Sequence, residues 1–77
     1  MKKIRPLSTL SVGETATVEH LYTKGSMRRR LQDIGLVDGT RIECVLKSAG
    51  GDPAAYLIRG AVIAIRCEDS STVMVCD

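Results

Sequence analysis

Five short stretches of this chain read as β-strands, and turn-forming residues close each one before it exceeds eight residues. Thr15-Ala16-Thr17-Val18-Glu19 alternates polar and apolar side chains, the period of a strand with one buried face. The alternation slips at His20-Leu21, which predicts a bulge or a strand end there. The turn pair Asp38-Gly39 introduces Thr40 to Lys47, with Ile42, Cys44 and Leu46 expected inward and Arg41, Glu43 and Lys47 outward. Ala55 to Arg59 and Val62 to Arg66 are separated by Gly60-Ala61. Glu68-Asp69-Ser70-Ser71 reads as a short polar turn before Thr72 to Cys76, where Val73 and Val75 should face inward. Short strands joined by tight turns, in 77 residues, predict a mainly β fold: a small antiparallel barrel of about five strands. Closing the sheet on itself would hide most of its edges.

One segment changes period. Met27, Leu31 and Ile34 fall at i, i+4 and i+7, which is one face of a helix. Ser26 sits where an N-cap belongs and Gly35 where a C′ glycine belongs, so a helix of little more than two turns should follow the first strand. Three successive arginines span about 300° of such a helix. Arg28 and Arg29 are expected to project outward, and Arg30 to lie beside the apolar edge. Before Gly13, Leu7, Leu10 and Val12 suggest that the first dozen residues form a turn that packs its leucines as a lid. Ala49-Gly50-Gly51-Asp52-Pro53 reads as the loosest loop.

Length and composition disfavour several function classes. A chain of 77 residues forms one domain, spanning residues 1–77, and buries only about 60% of its surface. That leaves no room for a deep catalytic cleft. The longest uncharged apolar run, Gly60 to Ile65, is far short of the roughly 20 residues of a spanning helix. Met1-Lys2-Lys3 starts like an export signal, but Arg5 and Pro6 interrupt it before any apolar run. The expected location is the cytoplasm, with Cys44, Cys67 and Cys76 as reduced thiols. With no Phe or Trp and two Tyr, the core should be aliphatic.

The net charge of +2 is unevenly placed. Residues 1–30 carry seven basic and two acidic side chains, and residues 31–77 carry four and seven. The arginine helix can therefore dock on an acidic protein surface, arginine's planar fork being suited to carboxylates. The plainer alternative pairs Arg30 with Asp33 and leaves the other two solvated. Nucleic acid is not expected: Lys2, Lys3 and Arg5 could meet phosphates, but Tyr22 and Tyr56 are too few for stacking. For metal, His20, Cys67 and Cys76 are weak candidates whose spacing matches no compact site. Incidental binding of a transition metal ion is expected before any dedicated site. No cofactor is expected, and no arrangement of nucleophile and base suggests an enzyme.

Four segments together resemble the FeoA family, the small cytoplasmic accessory proteins of bacterial ferrous iron uptake. They are Leu10-Ser11-Val12-Gly13-Glu14, Arg30 through Thr40, Gly51-Asp52-Pro53, and Arg59 through Arg66 with Glu68. Ser70 departs from the family in standing where an alanine is usual. The resemblance implies an SH3-like barrel with a helix between its first two long strands. It also implies docking on the cytoplasmic GTP-binding portion of the membrane transporter FeoB, without insertion into the membrane. Arg28, Arg29 and Asp52 are the contact residues expected here, and Gly13, Leu31, Gly35, Gly39 and Gly60 the structural ones. Two alternatives stay open. One is activation of the partner's GTPase in trans by an arginine finger; the other is an iron-sensing, metal-binding role like that of the C-terminal domain of iron-dependent repressors. Weak self-association through a residual strand edge is open as well.

Overall fold

A single antiparallel sheet, curled around an interior of aliphatic side chains, organises the computed structural model, which describes residues 3–77. Lys2, counted above among the basic residues, lies outside them. The elements in chain order are β1 (Ile4–Pro6), β2 (Thr15–Leu21), α1 (Gly25–Asp33), β3 (Arg41–Lys47), β4 (Ala54–Ile58), β5 (Ala61–Ile65), α2 (Cys67–Ser70) and β6 (Val73–Cys76). The sheet order is β1-β6-β2-β3-β4-β5. Among the described residues there are thus six strands rather than five, and helix α1 follows the second of them. The added strand, β1, carries no alternation to betray it. It is an edge strand, the place in a sheet where a proline such as Pro6, opposite Met74, is tolerated, since alternate N–H groups of an edge strand face away from the sheet.

The period-two reading holds where the ladder is regular. Ala16 and Val18 are buried on β2, Ile42 and Cys44 on β3, and Val73 and Val75 on β6. The β2–β6 register shifts between Val18 and His20, at the place where the alternation slips. Leu46 departs from expectation, being 63% exposed. The β3–β4 register shifts between Cys44 and Leu46, and one extra residue reverses every side chain beyond it. Leu7 and Leu10 are fully buried from the turn after β1, as the lid reading requires, each contributing about 1.5–3 kcal/mol. Tyr56 is the exception to an aliphatic core, a fully buried ring on β4.

The junctions explain the glycine-bearing segments. Glu14 N–H donates to Ser11 O at 3.0 Å, with Gly13 at φ +91° between them. The Glu14 carboxylate accepts the Ser11 N–H at 2.7 Å and faces Arg5 at 3.1 Å, fastening this turn to β1. After α1, Gly35 N–H donates to Gln32 O and Leu36 N–H to Leu31 O, both at 3.0 Å. This is the paired C-terminal closure that a left-handed C′ residue permits, and Gly35 sits at φ +112°. A second turn, Thr40 N–H to Val37 O at 3.0 Å, leads into β3. At its start α1 differs from expectation. The cap position is Lys24, no side chain caps it, and Ser26 lies inside the first turn. Glu68 to Ser71 also differs, most of it belonging to the one-turn helix α2.

Candidate functional site

Helix α1 is seated by Arg28. Its Nη1 donates to Leu21 O at 2.6 Å and to Thr23 O at 3.4 Å, so the side chain turns back to the end of β2 instead of projecting outward. Two backbone carbonyls at the end of the strand are thereby met by a charged donor. Thr23, itself buried, is held from the other side by its hydroxyl contact with Thr72 at 2.6 Å. Arg29 does project into solvent, as expected, and Arg30 is exposed too. Leu31 is buried in the core, with Met27 and Ile34 packed against it.

Arg30 also lines a groove of about 410 Å³ between α1 and the end of β5. Met27, Leu31 and Ile34 form its helical wall and Ile63 and Ile65 its sheet wall, while Arg66, Glu68 and Asp69 stand at one end. The sequence signal for this feature was present in the uncharged run Gly60 to Ile65. Periodicity assigns that run to a strand but cannot say that the strand will end the sheet.

Asp52 faces the start of α2. Its Oδ1 accepts the Cys67 N–H at 2.9 Å, one of the unpaired donors at a helix start, and the Cys67 thiol lies 3.8 Å from Gly51 O. The loop that looked loosest is thus tied to α2. Ser70 is fully buried, its hydroxyl turned to Cys67 O, and no large side chain would fit there. The Tyr56 hydroxyl is buried beside Ser70 without a well-formed hydrogen bond, and burial pushes its pKa up.

The three weak metal candidates are not brought together. His20 is exposed on β2 and meets the edge of Tyr22, ring centroids 4.6 Å apart. The Cys76 thiol lies in the last strand and donates to Glu19 Oε2 at 3.2 Å, whereas Cys67 lies on α2. Among the described residues no group of three or more His, Cys, Asp or Glu is placed to hold a metal ion. No helix among the described residues is long and apolar enough to cross a membrane.

Known proteins share this fold. The family model for the FeoA domain matches residues 5–76. No curated protein matches the chain. Among solved structures, the FeoA protein of Chlorobium tepidum superposes with a TM-score of 0.85 at 30% identity, over 91% of this chain and 67% of that one. The zinc-complexed FeoA of Stenotrophomonas maltophilia is described as a procaryotic SH3 domain protein. It gives 0.81 at 28% identity, over 91% of this chain and 87% of its own. The fold extends to IdeR of T. acidophilum, with a TM-score of 0.80 at 22% identity over 94% of this chain and 33% of that one. At that identity the likeness is one of fold alone.

Proposed function

The chain belongs to the FeoA family, and from that premise we propose that it is an accessory protein of ferrous iron uptake, docking on the cytoplasmic GTP-binding portion of FeoB. The match over residues 5–76 carries this reading. The basic, exposed side of α1 supports it. Arg29 is the contact residue we assign, with Arg30 beside it, because both heads are exposed. Arg28 and Asp52 serve the same surface indirectly, Arg28 by fixing α1 and Asp52 by fixing α2.

Docking calls for a rigid, charged surface and no reacting group, so the chain is read as a binding module rather than an enzyme. An arginine finger would instead need a side chain able to reach a buried phosphate. Arg28 is tethered to the end of β2, and Arg29 sits on a helix whose neighbouring turns are packed. The test is ferrous iron uptake in a strain lacking this protein, grown at limiting iron. Reduced uptake, restored by the wild-type chain and poorly by Arg29→Glu, is expected; unchanged uptake would overturn the proposal.

A further inference from the structure

The sheet has two ends, β1 and β5, and among the described residues no ladder joins them. β1 has three residues, whereas β5 has five, Ala61-Val62-Ile63-Ala64-Ile65, with no charge and no proline. Natural proteins seldom leave such an edge open without a charge, a proline or a covering element. The register fixes what β5 presents. The two-residue turn Arg59-Gly60 sets Ile58 opposite Ala61 as a pair exchanging both ladder bonds, and the alternation then repeats along the strand. Ala61, Ile63 and Ile65 spend their N–H and C=O groups on β4. Val62 and Ala64 aim theirs away from it, and among the described residues neither takes another backbone partner.

The side chains alternate in step. Ala61, Ile63 and Ile65 share a face with the buried Ile58, Tyr56 and Ala54. The groove between Ile63, Ile65 and α1 therefore lies where the inward side chains of one more strand would go. We propose that the β5 edge and this groove receive an extended segment of a protein partner as a seventh strand. Its backbone pairs with Val62 and Ala64, and an aliphatic side chain fills the groove.

Charge selects the kind of segment. Arg59 and Arg66 bracket β5, and Arg30 overlooks the groove from α1. Glu68 and Asp69 lie in the first turn of α2, where negative charge suits the free N–H groups of a helix start. A second copy is a poor occupant. Antiparallel self-pairing about Ile63 sets Arg66 opposite Gly60 of the copy, next to the copy's Arg59, like charge against like. The fitting occupant has alternating aliphatic residues and carboxylates at its ends. This inference rests on the reading of the chain as a docking protein and adds the mode of contact.

The test titrates isotope-labelled protein with the peptide acetyl-Glu-Glu-Thr-Ile-Thr-Val-Thr-Glu-Glu-amide, followed by amide NMR and hydrogen exchange. The comparison peptides carry Lys for Glu, or N-methyl groups on alternate backbone nitrogens. The Glu peptide should shift and protect the Val62 and Ala64 amides, leaving Ile63, already bonded to β4, little changed in exchange. It should bind about tenfold tighter than the Lys peptide at low salt, the scale of a few exposed charge pairs, and the N-methylated form should not bind. Because the modification sits on the ligand, no variant has to fold. Absence of protection at Val62 and Ala64, equal binding of the Glu and Lys peptides, or concentration-dependent protection of these amides without peptide would each overturn the proposal. If uptake still depends on the protein while the peptide fails, edge pairing falls and the docking reading stands. If uptake is independent of the protein, the docking reading falls on its own.

Discussion

Gly35 meets two demands at once, and a Cβ would violate both. Its φ of +112° lies where L side chains are strained, and a Cβ there would stand 3.0 Å from Ile58 Cγ2 and 3.1 Å from Arg59 Cδ. Gly60 has φ +84° but nothing within 4 Å of the same position. Gly60→Ala should therefore cost about 1 kcal/mol and Gly35→Ala about 2 kcal/mol or more. Thermal unfolding checks the order, since each kcal/mol is about 4–8 °C at this size. Equal losses would mean that the Ile58 contact yields freely. Glu14 makes a prediction about pH. The Ser11 N–H, and then Arg5, hold its carboxyl below the ordinary carboxylate range. Its stabilisation is thus present above the unfolded-state pKa of about 4.5 and is lost as pH falls through the lower folded value. Urea midpoints at neutral pH and near pH 3 should converge for Glu14→Gln relative to wild type, the variant losing less on acidification.

The helix shows which element-level features the sequence could reveal. Its period, its buried Leu31 and its glycine stop were legible, because spacing and a required positive φ leave local marks. Its start was not, because the seat is made by Arg28 reaching back to Leu21 O and Thr23 O. A tertiary bond of that kind has no spacing rule, and Ser26 looked like a cap only because serine often is one. The same limit hid the exposure of Leu46, decided by a bulge in the pairing with β4. It also hid the tie between Asp52 and α2, which joins residues fifteen apart. These assignments separate the arginines. Arg28→Ala should lower stability by about 1.5–3 kcal/mol, the range for bonds to a charged donor, whereas Arg29→Ala should leave the melting temperature nearly unchanged and weaken docking. Calorimetry on both variants, with binding to the partner domain measured alongside, checks the division. Asp52→Ala should cost about 1 kcal/mol through the lost helix-start acceptor, read by denaturant unfolding.

At the scale of the whole molecule the sheet order matters most. β6 lies between β1 and β2, so the chain's last strand is an interior strand of the sheet and buries Val73 and Val75 completely. Removing residues 73–77 takes away two ladders and at least about 3 kcal/mol of side-chain burial, a large part of the roughly 5 kcal/mol a domain of this size can hold. The truncated chain should lack the strand signature in circular dichroism. A folded truncation would show that β1 and β2 can pair without β6. The same order sets a schedule for folding. β3, β4 and β5 pair with sequence neighbours and can assemble before β6 is in place. β2 gains its second neighbour only when β6 docks, β1 finds its partner at that same late moment, and the leucine lid has no finished wall to rest on before then. The β5 edge needs nothing from β6 to form, so a chain that has yet to seat its last strand offers a strand-pairing surface before it has a finished core.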